Sequence, residues 1–350
     1  MNYHGGDIYP YGLDLIDFSS NINPLGVPES FKKAVTEDLS YLTRYPDKEY
    51  RKLKSAIYEY LQLDETENKI VLGNGAVEVI YKTIQTLPVK KIIIASPTFS
   101  EYRRAGTQAG KEVVEPVLFD ENGRFLTEEL LPYITDEALV ILCNPNNPTG
   151  TLIPKDEIVK VVEILKKKNS FMILDETFIE FTTNYPKTSM TNGSSDNLII
   201  IRALTKYFGM PGIRLGYGVF RNSLVGKMVE ESMEPWHINA FADLAGTIVL
   251  KDKAYIEKSE KWIRSERKRF MSVLHELKDF SFLPTESNFI LMTSKKLDAQ
   301  SIHDKLLKKG ILIRLPFGFT GLSGYDFRIA IKDRKSNNRL LQELKNIEKE

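Results

Sequence analysis

An α/β fold is predicted by two features of this chain. Short apolar runs that end in loops alternate with longer amphipathic segments through the middle of the sequence, and the pattern changes after about residue 247. The first feature implies a mostly parallel sheet covered by helices, since each parallel strand needs a crossover before the next. The second implies a smaller α+β unit at the C-terminal end. The 350 residues, 42% hydrophobic and 27% charged, suffice for two domains with a sizeable core and exclude a disordered or fibrous chain.

The apolar runs predict strands over residues 69–72, 91–95, 139–143, 171–174, 197–201 and 215–220. Helical periodicity predicts helices over 76–87, 155–168 and a long one near 255–278. Beyond it the pattern gives a strand at 287–292, a helix at 299–308, strands at 311–314 and 325–331, and a last helix. The first 45 or so residues are rich in turn signals, such as Asn23, Pro24 and Gly26, then Tyr45, Pro46 and Asp47. We therefore expect an arm over 1–44 that packs on the small domain or a partner subunit, a large domain over 45–246 and a small domain over 247–350.

Lys and Arg number 48 against 47 Asp and Glu, a net charge of +1, so no global field favours nucleic acid or an anionic membrane. The lysine runs at 166–168 and 308–309 fall at expected helix ends, where cations offset the dipole. Cys143 stands alone, which excludes an internal disulfide and a multi-cysteine zinc site. The first residues, Met1 to Gly6, lack the charged and apolar regions of a leader, and no apolar run approaches the ~20 residues that span a bilayer. The expectation is a cytoplasmic protein handling a small molecule.

In an open parallel sheet, ligands bind beyond the carboxyl ends of the strands, and several polar residues here fall at those ends. Gly73, Asn74, Gly75 and Ala76 follow one strand and open a helix, whose amides suit a phosphate. The third glycine position of a dinucleotide fingerprint is Glu78, so an ordinary strand-to-helix turn explains this segment equally well. Residues 144–150 crowd Asn144, Asn146, Asn147, two prolines and Gly150 into one loop. Asp175 and Glu176 close the next strand, where a helix cap is the plain alternative. Lys206 follows the strand after that, and Arg214 precedes another.

A lysine amine, a carboxylate and an arginine are what a pyridoxal phosphate enzyme needs. The amine forms an imine with the aldehyde, the carboxylate keeps the ring nitrogen protonated, and the guanidinium holds the phosphate. Arg328 sits within an apolar strand and needs an anion, either a structural carboxylate or a substrate. His4, His237, His275 and His303 show no metal-ligand spacing, and neither a nucleophile elbow nor a phosphate loop of the Walker type occurs.

Taken in order, the segment 144–150, Asp175 with Glu176, Thr205 with Lys206, Pro211 to Gly216, and Arg328 resemble the fold-type I pyridoxal phosphate enzymes of the class I/II aminotransferase superfamily. The resemblance runs from His4 to the last helix, and two branches are similar: histidinol-phosphate aminotransferases and the threonine-phosphate decarboxylases of cobalamin synthesis. It implies a mixed, mostly parallel seven-stranded sheet with a smaller α+β domain. It implies Lys206 and Asp175 as catalytic residues, with Asn147 at the phenolic oxygen and Phe99 on the ring. Gly75, Ala76, Thr205 and Arg214 would hold the cofactor phosphate, with Tyr45 reaching in from a second subunit of a homodimer. Arg328 and Asn147 would bind the substrate, and His4, Asn21 and Asn23 its phosphate. Ala203 departs from the family, whose members usually carry a hydroxyl there.

His4, Gly5 and Gly6, the segment 17–26, Pro235 with Trp236, and Phe178 tilt the resemblance toward the decarboxylase. Aminotransferases usually carry a tyrosine at the Phe178 position. The expected activity is decarboxylation of L-threonine O-3-phosphate to aminopropanol phosphate, with histidinol-phosphate transamination as the alternative. A non-catalytic binding protein on the same fold, or a nucleotide-binding module using Gly73 and Gly75, leaves Asp175, Lys206 and Arg214 without a common reason.

Overall fold

The structure, a computed structural model, describes residues 4–12 and 14–350; Met1, Asn2, Tyr3 and Leu13, part of the expected arm and of the leader reading, lie outside the described residues. Its strands in chain order are β1 (Ile16–Asp17), β2 (Lys69–Gly73), β3 (Lys91–Ile94), β4 (Glu112–Val114), β5 (Ala138–Cys143), β6 (Phe171–Asp175), β7 (Leu198–Ala203), β8 (Gly216–Phe220), β9 (Phe280–Phe282), β10 (Phe289–Ser294), β11 (Ile311–Leu312) and β12 (Asp326–Ala330). Seven of them form one sheet in the order β2-β8-β7-β6-β5-β3-β4. β4, β3, β5, β6 and β7 pair in parallel, while β8 runs against both of its neighbours, β7 and β2.

The central strands read as continuous apolar runs because both faces are covered. Ala138, Val140 and Leu142 of β5 enter one core cluster, and Leu139, Ile141 and Cys143 enter the other. The second cluster lies under the helices Ala76–Thr86 and Glu101–Gln108, which contribute Val79, Ile80, Ile84, Tyr102 and Ala105. The first cluster is continuous from Phe18 through Leu344 and takes in the C-terminal elements.

A second sheet, β12-β10-β9, is antiparallel, and β1 pairs in parallel with β11. The arm thus adds a strand to the C-terminal part of the molecule, and Ser30 Oγ donates to Asp252 at 2.5 Å. The expected boundary at 246/247 falls inside a continuous helix, Ala240–Val249, which packs on the helices Arg51–Leu61 and Glu29–Glu37.

Other expectations shift for local reasons. β4 and β9, three residues each with at least one exposed position, are too short to show an alternation. The long helix runs Lys253–Leu274, because Asp252 caps it by accepting from the Tyr255 amide at 3.0 Å. The strand expected at 287–292 begins at Phe289, since Asn288 instead turns its side chain to donate to the Asn21 carbonyl at 3.1 Å. Among the described residues no helix is long and apolar enough to cross a membrane.

Candidate active site

The sheet topology gathers the polar loops at one edge. Since β2, β3, β5, β6 and β7 run the same way, Gly75, Phe99, Asn147, Asp175 and Lys206 all emerge at their carboxyl ends. β8 runs oppositely, so the residue before it, Arg214, enters at that same edge. The register makes this concrete, with Gly216 paired to both Gly73 and Ala203, and Cys143 paired to Asp175. A cavity of 410 Å³ opens there, lined by Ala76, Phe99, Asn147, Asp175, Thr205, Lys206, Arg214 and Arg328, and at its outer part by His4 and Asn21.

Asp175 is 5% exposed, and each of its oxygens is held. Oδ2 accepts from the Tyr102 hydroxyl at 2.7 Å and Oδ1 from the Thr177 amide at 2.9 Å. Burial pushes its carboxyl above the usual range, while the bonds from Thr177 and Tyr102 and the nearby Lys206 charge pull the other way. Asp175 does not serve as a helix cap; it is a cavity wall. Glu176, by contrast, faces the other side of the sheet, where Arg202, wholly buried, donates to it at 3.2 Å and to Glu180 at 2.7 Å.

The Lys206 amine has no hydrogen-bond acceptor or carboxylate partner among the described residues. Burial brings it down to about 8, helped by the positive charges of Arg328 and Arg214. An unpaired amine that faces a cavity and loses its proton near pH 8 is a ready nucleophile toward an aldehyde.

Arg214 adopts a left-handed backbone, φ +58°, an uncommon conformation for a side-chain-bearing residue. Its guanidinium lies against Gly75, where an added Cβ would fall 2.2 Å from Nη2, and its protein bonds are long ones to the carbonyls of Pro211 and Asn74 at 3.3 and 3.4 Å. Beside it the helix Ala76–Thr86 starts with no side-chain cap, and the Thr205 hydroxyl lies close by in the cavity wall. The amides of Asn74 and Gly75 are taken by Glu78 Oε2 and the Gly73 carbonyl at 2.6 and 2.7 Å, so the first amides of the helix, the guanidinium and the hydroxyl are the groups that suit a phosphate. Ala203 lines the cavity with no hydroxyl to add.

Across the cavity Arg328, 6% exposed, donates to Asn147 Oδ1 and, at 2.7 Å, to the Ser19 carbonyl. Both partners are neutral, its Nε is buried without a partner, and no carboxylate among the described residues pairs with it. Burial, then the neighbouring Arg314, brings Arg328 down to about 9, which still leaves it charged at neutral pH. The two arginines face each other across an isolated bridge, with Arg314 donating to the Phe317 carbonyl at 2.9 Å and lying over the Phe319 ring. Asn147, fixed through its oxygen, keeps its amide nitrogen for the cavity, and buried Asn21 Oδ1 is without a partner there. The structural carboxylate considered for Arg328 is not found, so an anionic ligand is its chemical complement.

One expected contact falls elsewhere. Asn23 is buried away from the cavity, donating to the Tyr207 carbonyl at 2.7 Å and Ser259 Oγ at 2.9 Å and accepting from the Leu25 amide. Its side chain is committed to the fold, which corrects the expectation that it meets substrate. Tyr45 is 76% exposed, packed at a tilt against Trp236 with ring centroids 4.6 Å apart, and outside the cavity of its own chain. His4 stands at the rim with Nε2 at 3.0 Å from Glu101. Sequence reading gave no site role to Tyr102, Thr177, Ser19 or Arg314; Ser19 lies in the segment 17–26 noted above, and Arg314 is a charge following an apolar run at 311–313.

Pyridoxal phosphate fits this donor set. The phosphate would lie at the helix start with Arg214 and Thr205, the aldehyde at Lys206, the ring nitrogen at Asp175, the phenolic oxygen at the Asn147 amide and one ring face on Phe99. No group of His, Cys, Asp and Glu suited to a metal ion occurs among the described residues.

Comparison with known proteins agrees with this chemistry. The model of the family described as aminotransferase class I and II matches residues 14–344. A Caldanaerobacter subterraneus protein with the provisional name threonine-phosphate decarboxylase is 43% identical over 99% of this chain and 94% of its own length. The threonine-phosphate decarboxylase of Salmonella typhimurium is 34% identical over 98% of this chain and 96% of its own. The crystal structure of histidinol-phosphate aminotransferase from Clostridium acetobutylicum superposes with a TM-score of 0.90 at 40% identity, covering 95% of this chain and 98% of that one.

Proposed function

Because the chain belongs to the aminotransferase class I and II family and is a pyridoxal phosphate-dependent enzyme, we propose that it decarboxylates a phosphorylated amino acid, L-threonine O-3-phosphate, to aminopropanol phosphate for cobalamin synthesis. The observation that carries the reading is Arg328, a buried guanidinium with only neutral partners, standing beside Arg314 in one cavity. An anionic group would complete Arg328, and phosphothreonine offers a carboxylate as well as a phosphate. Histidinol phosphate has only the phosphate.

When bound, the cofactor supplies the electron sink for the pair left at Cα as carbon dioxide departs. Asp175 would hold the proton on the ring nitrogen, and the Asn147 amide would donate to the phenolic oxygen. Lys206 Nζ, neutral above about pH 8, would take or return the proton at Cα. Arg328 and Arg314 would orient the substrate, and their grip decides the outcome. A carboxylate clamped in the plane of the ring is held back from leaving; one turned out of that plane, with the phosphate taking the stronger contact, departs. Phe178 bears on the same choice, because it packs edge-on against Phe289 at 5.0 Å and offers no hydroxyl to the cofactor.

We further propose a homodimer in which Tyr45 meets the partner's cofactor phosphate. Transamination of histidinol phosphate is the second reading, favoured by the solved Clostridium acetobutylicum relative. Offering purified protein both substrates separates them. Carbon dioxide from phosphothreonine without an amino acceptor supports decarboxylation; turnover of histidinol phosphate that requires 2-oxoglutarate, with no carbon dioxide, overturns it.

A further inference from the structure

We propose that Tyr102 is a positioning residue for the reaction, fixing through one hydrogen bond and one ring contact both where the proton between Asp175 and the cofactor nitrogen resides and how Phe99 meets the ring face. The inference rests on the pyridoxal phosphate reading above and adds a residue that acts through Asp175 and Phe99.

The geometry is a closed linkage. Tyr102 lies in the first turn of the helix Glu101–Gln108 and is 0% exposed. Its hydroxyl donates to Asp175 Oδ2 at 2.7 Å, its ring stands edge-on to Phe99 with centroids 5.6 Å apart at 86°, and its amide donates to the Phe99 carbonyl at 3.3 Å. The residue expected on the face of the cofactor and the residue expected at its nitrogen are thereby tied to one rigid side chain. Burial holds the phenol neutral, so it remains a donor, and Cys143 beside it is likewise held neutral and turned to the Pro145 carbonyl at 3.3 Å.

The consequence concerns one shared proton. Between a buried carboxylate and a pyridine nitrogen, the proton sits on nitrogen only if the carboxylate is stabilised as an anion, and burial alone favours the neutral acid. Asp175 accepts hydrogen bonds from the Thr177 amide and the Tyr102 hydroxyl, and the Thr177 side chain beside it also favours the anion. The amide belongs to the backbone and is fixed, whereas the Tyr102 hydroxyl is the side-chain donor seated on the carboxylate at hydrogen-bond distance, which one substitution removes. Without it the proton shifts toward Asp175, the ring becomes a poorer electron sink, and the chemical step slows while substrate contacts on the other side of the cavity remain.

The test is the ring-nitrogen resonance of holoenzyme loaded with 15N-labelled pyridoxal phosphate, compared between the native protein and Tyr102→Phe, which keeps the contact with Phe99. The expected result is a native resonance at the pyridinium position that moves toward neutral pyridine in the variant, with kcat lowered roughly tenfold or more and KM changed by less than about twofold. A variant resonance and kcat equal to the native values overturn the role of Tyr102. A native protein that shows no protonated ring nitrogen overturns the cofactor reading instead. Should Tyr102→Phe not fold, 4-aminophenylalanine at position 102 keeps the shape with a weaker donor; it must shift the resonance in the same sense, and an unmoved resonance overturns the inference.

Discussion

The two halves of the cavity are built in different ways. On one side, Gly75, Asn147, Asp175, Lys206 and Arg214 stand at the ends of strands in a single sheet, each within a few residues of a register that the sheet enforces. On the other side, His4, Ser19, Asn21, Arg314 and Arg328 come from the arm, from the loop after β11 and from β12, and meet only when the arm pairs with the C-terminal part. In the proposed reading the first half would hold the cofactor. The second half would meet the substrate, and its short pieces lie outside the seven-stranded sheet.

Mutations should respect that division. Lys206→Ala on the sheet side should abolish turnover, by roughly a thousandfold or more, and remove the visible absorbance of bound cofactor while the unfolding temperature stays near native. Retained turnover would contradict its role. Arg328→Met on the other side should lower kcat/KM by about a hundredfold or more, because charged pairs buried at a binding site are worth roughly 3 kcal/mol. Cofactor affinity, read by titration of the absorbance, should stay within about threefold of native; a large loss would dissolve the distinction between the halves.

How legible each half was in the sequence follows the same line. The strands over 69–72, 139–143 and 171–174 announced themselves because burial on both faces forces continuous apolar runs, and their ends located Gly75, Asn147 and Asp175. Lys206 and Arg214 followed from the chemistry of a lysine, an acid and a guanidinium at neighbouring strand ends. Arg328 was visible as a charge inside an apolar strand. Asn23 misled because an asparagine in a turn-rich arm reads the same whether it faces substrate or, as here, satisfies the Tyr207 carbonyl and Ser259. Tyr102 was hidden because a tyrosine in a buried helix resembles any core residue until its hydroxyl is seen on Asp175. Arg314 needed the pairing with Arg328, a contact between separated segments that no local pattern records.

Smaller effects sharpen the comparison. Gly75→Ala would drive a methyl into the Arg214 guanidinium, so cofactor affinity should fall by about tenfold, with KM for substrate changed less; unchanged affinity would mean that this approach is not needed. Apo protein should incorporate pyridoxal phosphate faster as pH rises, with a midpoint near 8, because the neutral amine is the nucleophile and burial lowers Lys206 to about 8. A midpoint near the ordinary lysine value would contradict that environment. Tyr45→Phe should weaken cofactor retention by a few-fold if its hydroxyl reaches the partner's phosphate, and unchanged retention would count against that contact.

Borohydride reduction of the purified holoenzyme, followed by mapping of the modified peptide, tests the whole arrangement most directly. The cofactor should be found fixed to Lys206 alone. A label on another lysine, or none on any, would contradict the convergence of Lys206, Asp175 and Arg214 on one bound molecule.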